Sequence, residues 1–177
     1  MSRKRHNKRG NRFHRQTAPG AMPGSVIADP ASPSPKIHVI AYGSDTFEEI
    51  VDARIDTIKS LVGKHRVVWI NVEGLGDAKI IEELGKLFDL HALALEDVVH
   101  VHQRAKVDSY DDHLFIVSRM VSMREQLETE QLSMFLGPNF VLSFLEDPGD
   151  CLDPLRDRLR RKRGQTRAEG PDYLAYA

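Results

Sequence analysis

The chain has 177 residues, enough for one sizeable hydrophobic core and too few for two. Charged residues make up 29% and hydrophobic ones 41%, an ordinary balance for a water-soluble fold, and no apolar run approaches the roughly 18 to 20 residues that cross a bilayer as a helix. The formal net charge of −1 conceals a split, because residues 1–16 carry seven bases and no acid, leaving 18 bases against 26 acids in the rest. An acidic folded part attracts cations and repels nucleic acid, and a basic tail does the reverse. The single cysteine, Cys151, excludes an intrachain disulfide and a zinc site built from several thiolates, and it suits a reducing compartment.

In chain order, residues 1–35 read as a disordered basic and then Pro/Ala/Ser-rich tail. Pro19, Pro23, Pro30, Pro33 and Pro35 interrupt regular structure, and no apolar stretch follows the charges as in a secretory signal. Residues 36–170 read as one α/β domain. A strand is predicted over 37–42, then a turn at Gly43-Ser44-Asp45 and a short strand over 47–51. Ile55, Ile58 and Val62 recur at helical spacing, with Gly63 closing that helix. Val67-Val68-Trp69-Ile70 lacks polar alternation, which predicts a central strand covered on both faces. Asp77 can cap a helix whose inner face is Ile81, Leu84 and Phe88, and a further helix is expected to hold Leu95, Val98, Val99 and His102.

The second half changes period. A long strand is predicted over 113–123, and strands over 131–136 and 140–145 form a hairpin about Gly137-Pro138-Asn139. Asp150 or Asp153 starts a helix through Leu155 and Leu159. Residues 171–177 read as two turns of a helix that then stops, too short to stand alone, so the expectation is a longer helix cut at this point. Hairpins and crossovers in one chain predict a three-layer α/β/α sandwich with a mixed sheet flanked by helices.

Three segments carry a resemblance. The first is Phe88-Asp89-Leu90-His91-Ala92-Leu93-Ala94-Leu95-Glu96-Asp97-Val98, running on to Val101-His102-Gln103-Arg104-Ala105-Lys106-Val107. The second is Glu130-Gln131-Leu132-Ser133-Met134-Phe135-Leu136, and the third Asp153-Pro154-Leu155-Arg156-Asp157-Arg158-Leu159-Arg160, leading to Asp172-Tyr173-Leu174. In order and wording they resemble the N-terminal cytoplasmic domain of CorA-type magnesium channels, over about residues 37–177, with Trp69-Ile70 matching a further family strand. Ala92 and Ala105 stand where the family has prolines. The family's transmembrane helices and their Gly-Met-Asn motif have no counterpart here.

The resemblance implies a regulatory, ion-sensing and gating domain of a channel for Mg²⁺, with Co²⁺ as a second ion. It also implies a pentamer of identical subunits at the cytoplasmic face of the inner membrane, touching the membrane only through the missing C-terminal part. It assigns a regulatory metal site between subunits to Asp97 first and Glu96 second, half-built in this chain and therefore weak. From the residues alone, that pair reads as a solvated helix face or a turn cap. Carboxylates suit the hard Mg²⁺ ion, which keeps most of its water and takes one or two acids. His91, His100, His102 and His113 suggest zinc, but ordinary surface or capping roles suit them better, and His91 suits a helix start. No nucleophile triad, phosphate loop or dinucleotide pattern supports an enzyme. Two alternatives stay open: a zinc-transporting relative of the same fold, and a stand-alone metal or nucleic-acid module working through the basic tail.

Overall fold

The computed structural model describes residues 22–123 and 127–177. Seven strands form one sheet: β1 (Lys36–Tyr42), β2 (Phe47–Ile50), β3 (Val67–Glu73), β4 (Lys106–Ser109), β5 (Leu114–Met123), β6 (Leu127–Leu136) and β7 (Phe140–Leu145). Their spatial order is β2-β1-β3-β7-β6-β5-β4. Every neighbouring pair is antiparallel except β3 and β7, which run parallel with Val68 beside Phe140 and Val72 beside Phe144. That parallel pair needs a long crossover, and the chain from α2 to β6 supplies it.

Helices α1 (Ile55–Leu61), α2 (Ala78–Leu87) and α3 (Ala92–Val99) cover one face; α4 (Asp153–Arg160) and α5 (Pro171–Tyr176) cover the other. The result is the α/β/α sandwich expected from the order of elements. Alternation within β3 explains why its sequence shows no polar period: Val68, Ile70 and Val72 face the first helical layer, while Val67 and Trp69 face the second. Asp77 caps α2 by accepting a hydrogen bond from the Lys79 amide at 2.9 Å. That helix ends where Asp89 turns to φ +50° and the Leu90 amide returns to the Gly85 carbonyl at 2.8 Å.

Three expectations need adjustment. The third helix stops at Val99; His102 lies outside it at φ +89°, a backbone region where helical hydrogen bonding cannot continue. β6 begins at Leu127 rather than 131, because its pairing with β5 continues to Met123 opposite Leu127. α4 starts at Asp153, as expected; Leu152 occupies the cap position before it, and Asp150 accepts from the Leu152 amide at 2.9 Å.

The third adjustment concerns the tail. The basic run at 1–16 lies outside the described residues. Residues 22–35 form no helix or strand, yet they lie on the domain. Val26 packs against the first core, the Gly76 amide donates to Pro33 O at 2.8 Å, and the Gly24 amide donates to Glu96. Prolines forbid a ladder but not docking, and two glycines make room for the segment. Gly74 sits at φ +95°, and a Cβ there would stand 2.7 Å from the Pro33 carbonyl oxygen.

Candidate metal-responsive site

α3 is short, so its capping matters. His91 accepts from the Leu93 amide through Nδ1 at 3.3 Å, the helix-start role its position suggests. Its ring also stacks on Tyr110, which stacks on His113, so the start of α3 leans on the turn joining β4 to β5. Ala94, Leu95 and Val98 are buried against the sheet, and this turns the intervening Glu96 and Asp97 outward on either side.

Successive helical residues point about 100° apart, and the two carboxylates accordingly reach different neighbours. Glu96 accepts from the Gly24 amide at 2.7 Å through Oε2, and its Oε1 lies 3.6 Å from His100 Nδ1. Asp97 turns toward β4. Its Oδ1 accepts from Gln103 Nε2 at 2.9 Å, and its Oδ2 accepts from Lys106 Nζ at 2.7 Å. Lys106 also donates to Asp108 Oδ2 at 2.7 Å and lies over the Phe115 ring at 5.4 Å. Burial works against the lysine's charge, yet its bonds to Asp108 and Asp97 prevail and hold its pKa above the usual lysine value.

One buried side chain organises this end of the sheet. Gln131 on β6 accepts from the Gln103 amide at 2.8 Å and donates to the Asp97 carbonyl at 3.1 Å and to Ser133 Oγ at 3.0 Å. It thereby fixes the segment between α3 and β4 against the sheet. Its own amide donates to Glu146 Oε1 at 2.7 Å. The sequence segments around Asp97, Gln103 and Gln131 therefore meet in space. Lys106 and Asp108 were not singled out by sequence reasoning, although Lys106 lies inside a quoted motif.

Among the described residues, no group of three or more His, Cys, Asp or Glu side chains could hold a metal ion together. Glu96 and Asp97 do not converge on one point. The carboxylates around Lys106, Asp97 and Asp108, are the ones already arranged about a single cation. Two carboxylates with solvent access fit a hydrated divalent ion.

The family model described as "CorA-like Mg2+ transporter protein" matches residues 64–176, well over half the chain. The chain belongs to the CorA family. Among CorA-related proteins, it is 35% identical over 145 residues to the "Cobalt/magnesium transport protein CorA" of Thermotoga maritima, covering 80% of this chain and 41% of that one. It is 34% identical over 110 residues to the "Putative metal ion transporter YfjQ" of Bacillus subtilis, covering 61% and 33%. The chain thus spans less than half the length of these curated relatives. The fold resembles the soluble domain of CorA from Methanocaldococcus jannaschii, with TM-score 0.54 and 15% identity over 73% of this chain and 50% of that one. It also resembles the full-length CmaX protein, with TM-score 0.59 and 16% identity over 80% and 43%. The mixed seven-stranded sheet is therefore the CorA soluble-domain fold. Among the described residues, no helix is long and apolar enough to cross a membrane.

Proposed function

We propose that this chain is the cytoplasmic ion-sensing domain of a CorA-type transporter that moves Mg²⁺ and Co²⁺ across the cell membrane. The match of residues 64–176 to a Mg²⁺ transporter family carries this reading, and the names of the curated relatives support it. The sensing role falls to Asp97, with Glu96 beside it. Both sit on a short helix between the N-terminal segment and the sheet, where a change in local charge reaches both.

The physical logic is a population shift. Acidic surfaces of identical subunits, five in the assembled transporter, repel until a divalent cation lies between them, and the closed arrangement that binds the ion better then accumulates. The ion is weakly held in this chain alone because the neighbouring subunit supplies the remaining ligands. The test uses the full-length protein in membranes. Mg²⁺ should protect it from limited trypsin digestion, and Asp97→Asn should raise the protecting Mg²⁺ concentration several-fold. Unchanged protection removes Asp97 from the sensing site, and absence of Mg²⁺ or Co²⁺ uptake into vesicles overturns the transport reading.

A further inference from the structure

The proposed site already holds a cation. Lys106 Nζ stands 2.7 Å from Asp97 Oδ2 and 2.7 Å from Asp108 Oδ2, so it occupies the point where those carboxylates converge. We infer that Lys106 is a built-in competitor for the divalent ion: metal binding at Asp97 displaces its ammonium, and Asp108 is the second carboxylate that the incoming ion engages. The inference rests on the sensing role proposed for Asp97.

Three observations carry it. The first is charge. Two carboxylates and one ammonium leave the cluster at −1, and replacing the ammonium by a divalent ion neutralises it while the lysine gains water. The second is access. The side chains of Lys106, Asp97 and Asp108 are 32%, 26% and 41% exposed, so a hydrated ion can reach them and the displaced ammonium can leave. The third is unequal rigidity. Asp97 and Gln103 are pinned by the buried Gln131, through the Asp97 carbonyl and the Gln103 amide, whereas Lys106 reaches the cluster on a flexible four-carbon stem.

Both carboxylate oxygens contact the same nitrogen at 2.7 Å, so a cation that takes its place faces both. Mg²⁺ takes oxygen ligands at about 2.0–2.1 Å and retains several waters, so it can bind one carboxylate directly and the other through water. The competition sets the ion concentration at which the domain responds. A lysine weakens the site without abolishing it, which suits a sensor whose ion is abundant.

The experiment uses this chain with Mn²⁺ as a paramagnetic probe and Mg²⁺ as its diamagnetic counterpart, followed by NMR. Mn²⁺ should broaden the amide signals of Asp97, Gln103 and Asp108, and Lys106→Met should lower the required Mn²⁺ concentration about five-fold. Lys106→Arg should retain the wild-type midpoint, and adding Asp108→Asn to Lys106→Met should reverse most of the gain. In the unmutated chain, Mg²⁺ should shift the Lys106 Cε–Hε signal in step with the Asp97 carboxyl carbon, a readout independent of whether any variant folds. If Asp97→Asn abolishes broadening while Lys106→Met leaves the midpoint unchanged, the competition is overturned and the Asp97 reading stands. An Asp97 shift with no Lys106 shift overturns it in the same way. If millimolar Mn²⁺ broadens none of these signals in any variant, the competition within this chain is overturned, and the Asp97 reading is decided by protection of the full-length protein.

Discussion

Arg156 offers the sharpest test of how the domain is held together. It lies on α4 against the second face of the sheet, its side chain only 5% exposed, and Asp150 beside it is 2% exposed. Arg156 donates two parallel hydrogen bonds to Asp150, Nη1 to Oδ1 at 2.7 Å and Nη2 to Oδ2. Nη1 also reaches Asp153 at 3.0 Å, and the guanidinium lies 5.4 Å from the Trp69 ring. Asn71 Nδ2 donates to Asp150 at 2.9 Å, and Ser143 joins Asn71 to the Trp69 indole, so the pair continues into β3 and β7. Burial opposes the Asp150 charge, but the bonds from Arg156 and the Leu152 amide prevail and hold its pKa below the usual aspartate value.

Asp150→Ala removes the bidentate partner of a buried guanidinium and leaves it only Asp153 at 3.0 Å and Glu73 at 3.9 Å; loss of one partner of such a pair costs about 3–5 kcal/mol. That is a large share of the roughly 5–15 kcal/mol that stabilises a domain of this kind. Arg156→Met combined with Asp150→Leu removes both charges, and the double variant should lie within about 1 kcal/mol of wild type or above it. Urea unfolding followed by circular dichroism at pH 7 measures all three proteins. Because the folded pKa of Asp150 is depressed, its contribution is complete above the unfolded value of about 3.9 and disappears as pH falls through the folded value. The gap between wild type and Asp150→Ala should therefore narrow below about pH 4, while wild type loses stability relative to the double variant. A loss under about 1 kcal/mol for Asp150→Ala would show the pair behaving like an exposed one and would refute the argument.

Two further outcomes follow from single side chains. His113 is buried, its Nε2 lacks a partner, and burial pushes its pKa below the usual histidine value despite nearby Asp112 and Asp89, while His91 adds to the lowering. Stability should thus fall as pH drops below about 6.5, by about 1.4 kcal/mol per unit of depression at full effect, and His113→Phe should remove that component of the urea midpoint's pH dependence. A pH slope unchanged in His113→Phe would exclude His113 as its source. Gln131→Leu leaves the Gln103 amide and the Asp97 carbonyl without their partner, which should cost about 1–3 kcal/mol and accelerate hydrogen exchange at the Gln103 amide. Exchange at wild-type rates would show that Gln131 does not hold this segment.

Local chemistry made most of the fold legible. The β-branched run at Val67-Val68-Trp69-Ile70, the Asp77 cap and the glycine-proline turn after Leu136 each specify their element within a few residues, because propensity and turn geometry act over that range. The motif order around Glu96-Asp97, Gln103 and Gln131 was enough to suggest the family. The sequence could not show that Glu96 and Asp97 part company. Their directions depend on which face of α3 is buried, and that is decided by packing against the sheet. Nor could it show residues 22–35 docking, since their partners Gly76 and Glu96 lie dozens of positions away. Lys106 lies only nine and two positions from Asp97 and Asp108, yet its placement between them depends on a long-range contact. Asp97 is brought to β4 by a loop that Gln131 pins from the far side of the β5–β6 hairpin, and a contact between segments so distant in sequence exists only once the sheet has formed.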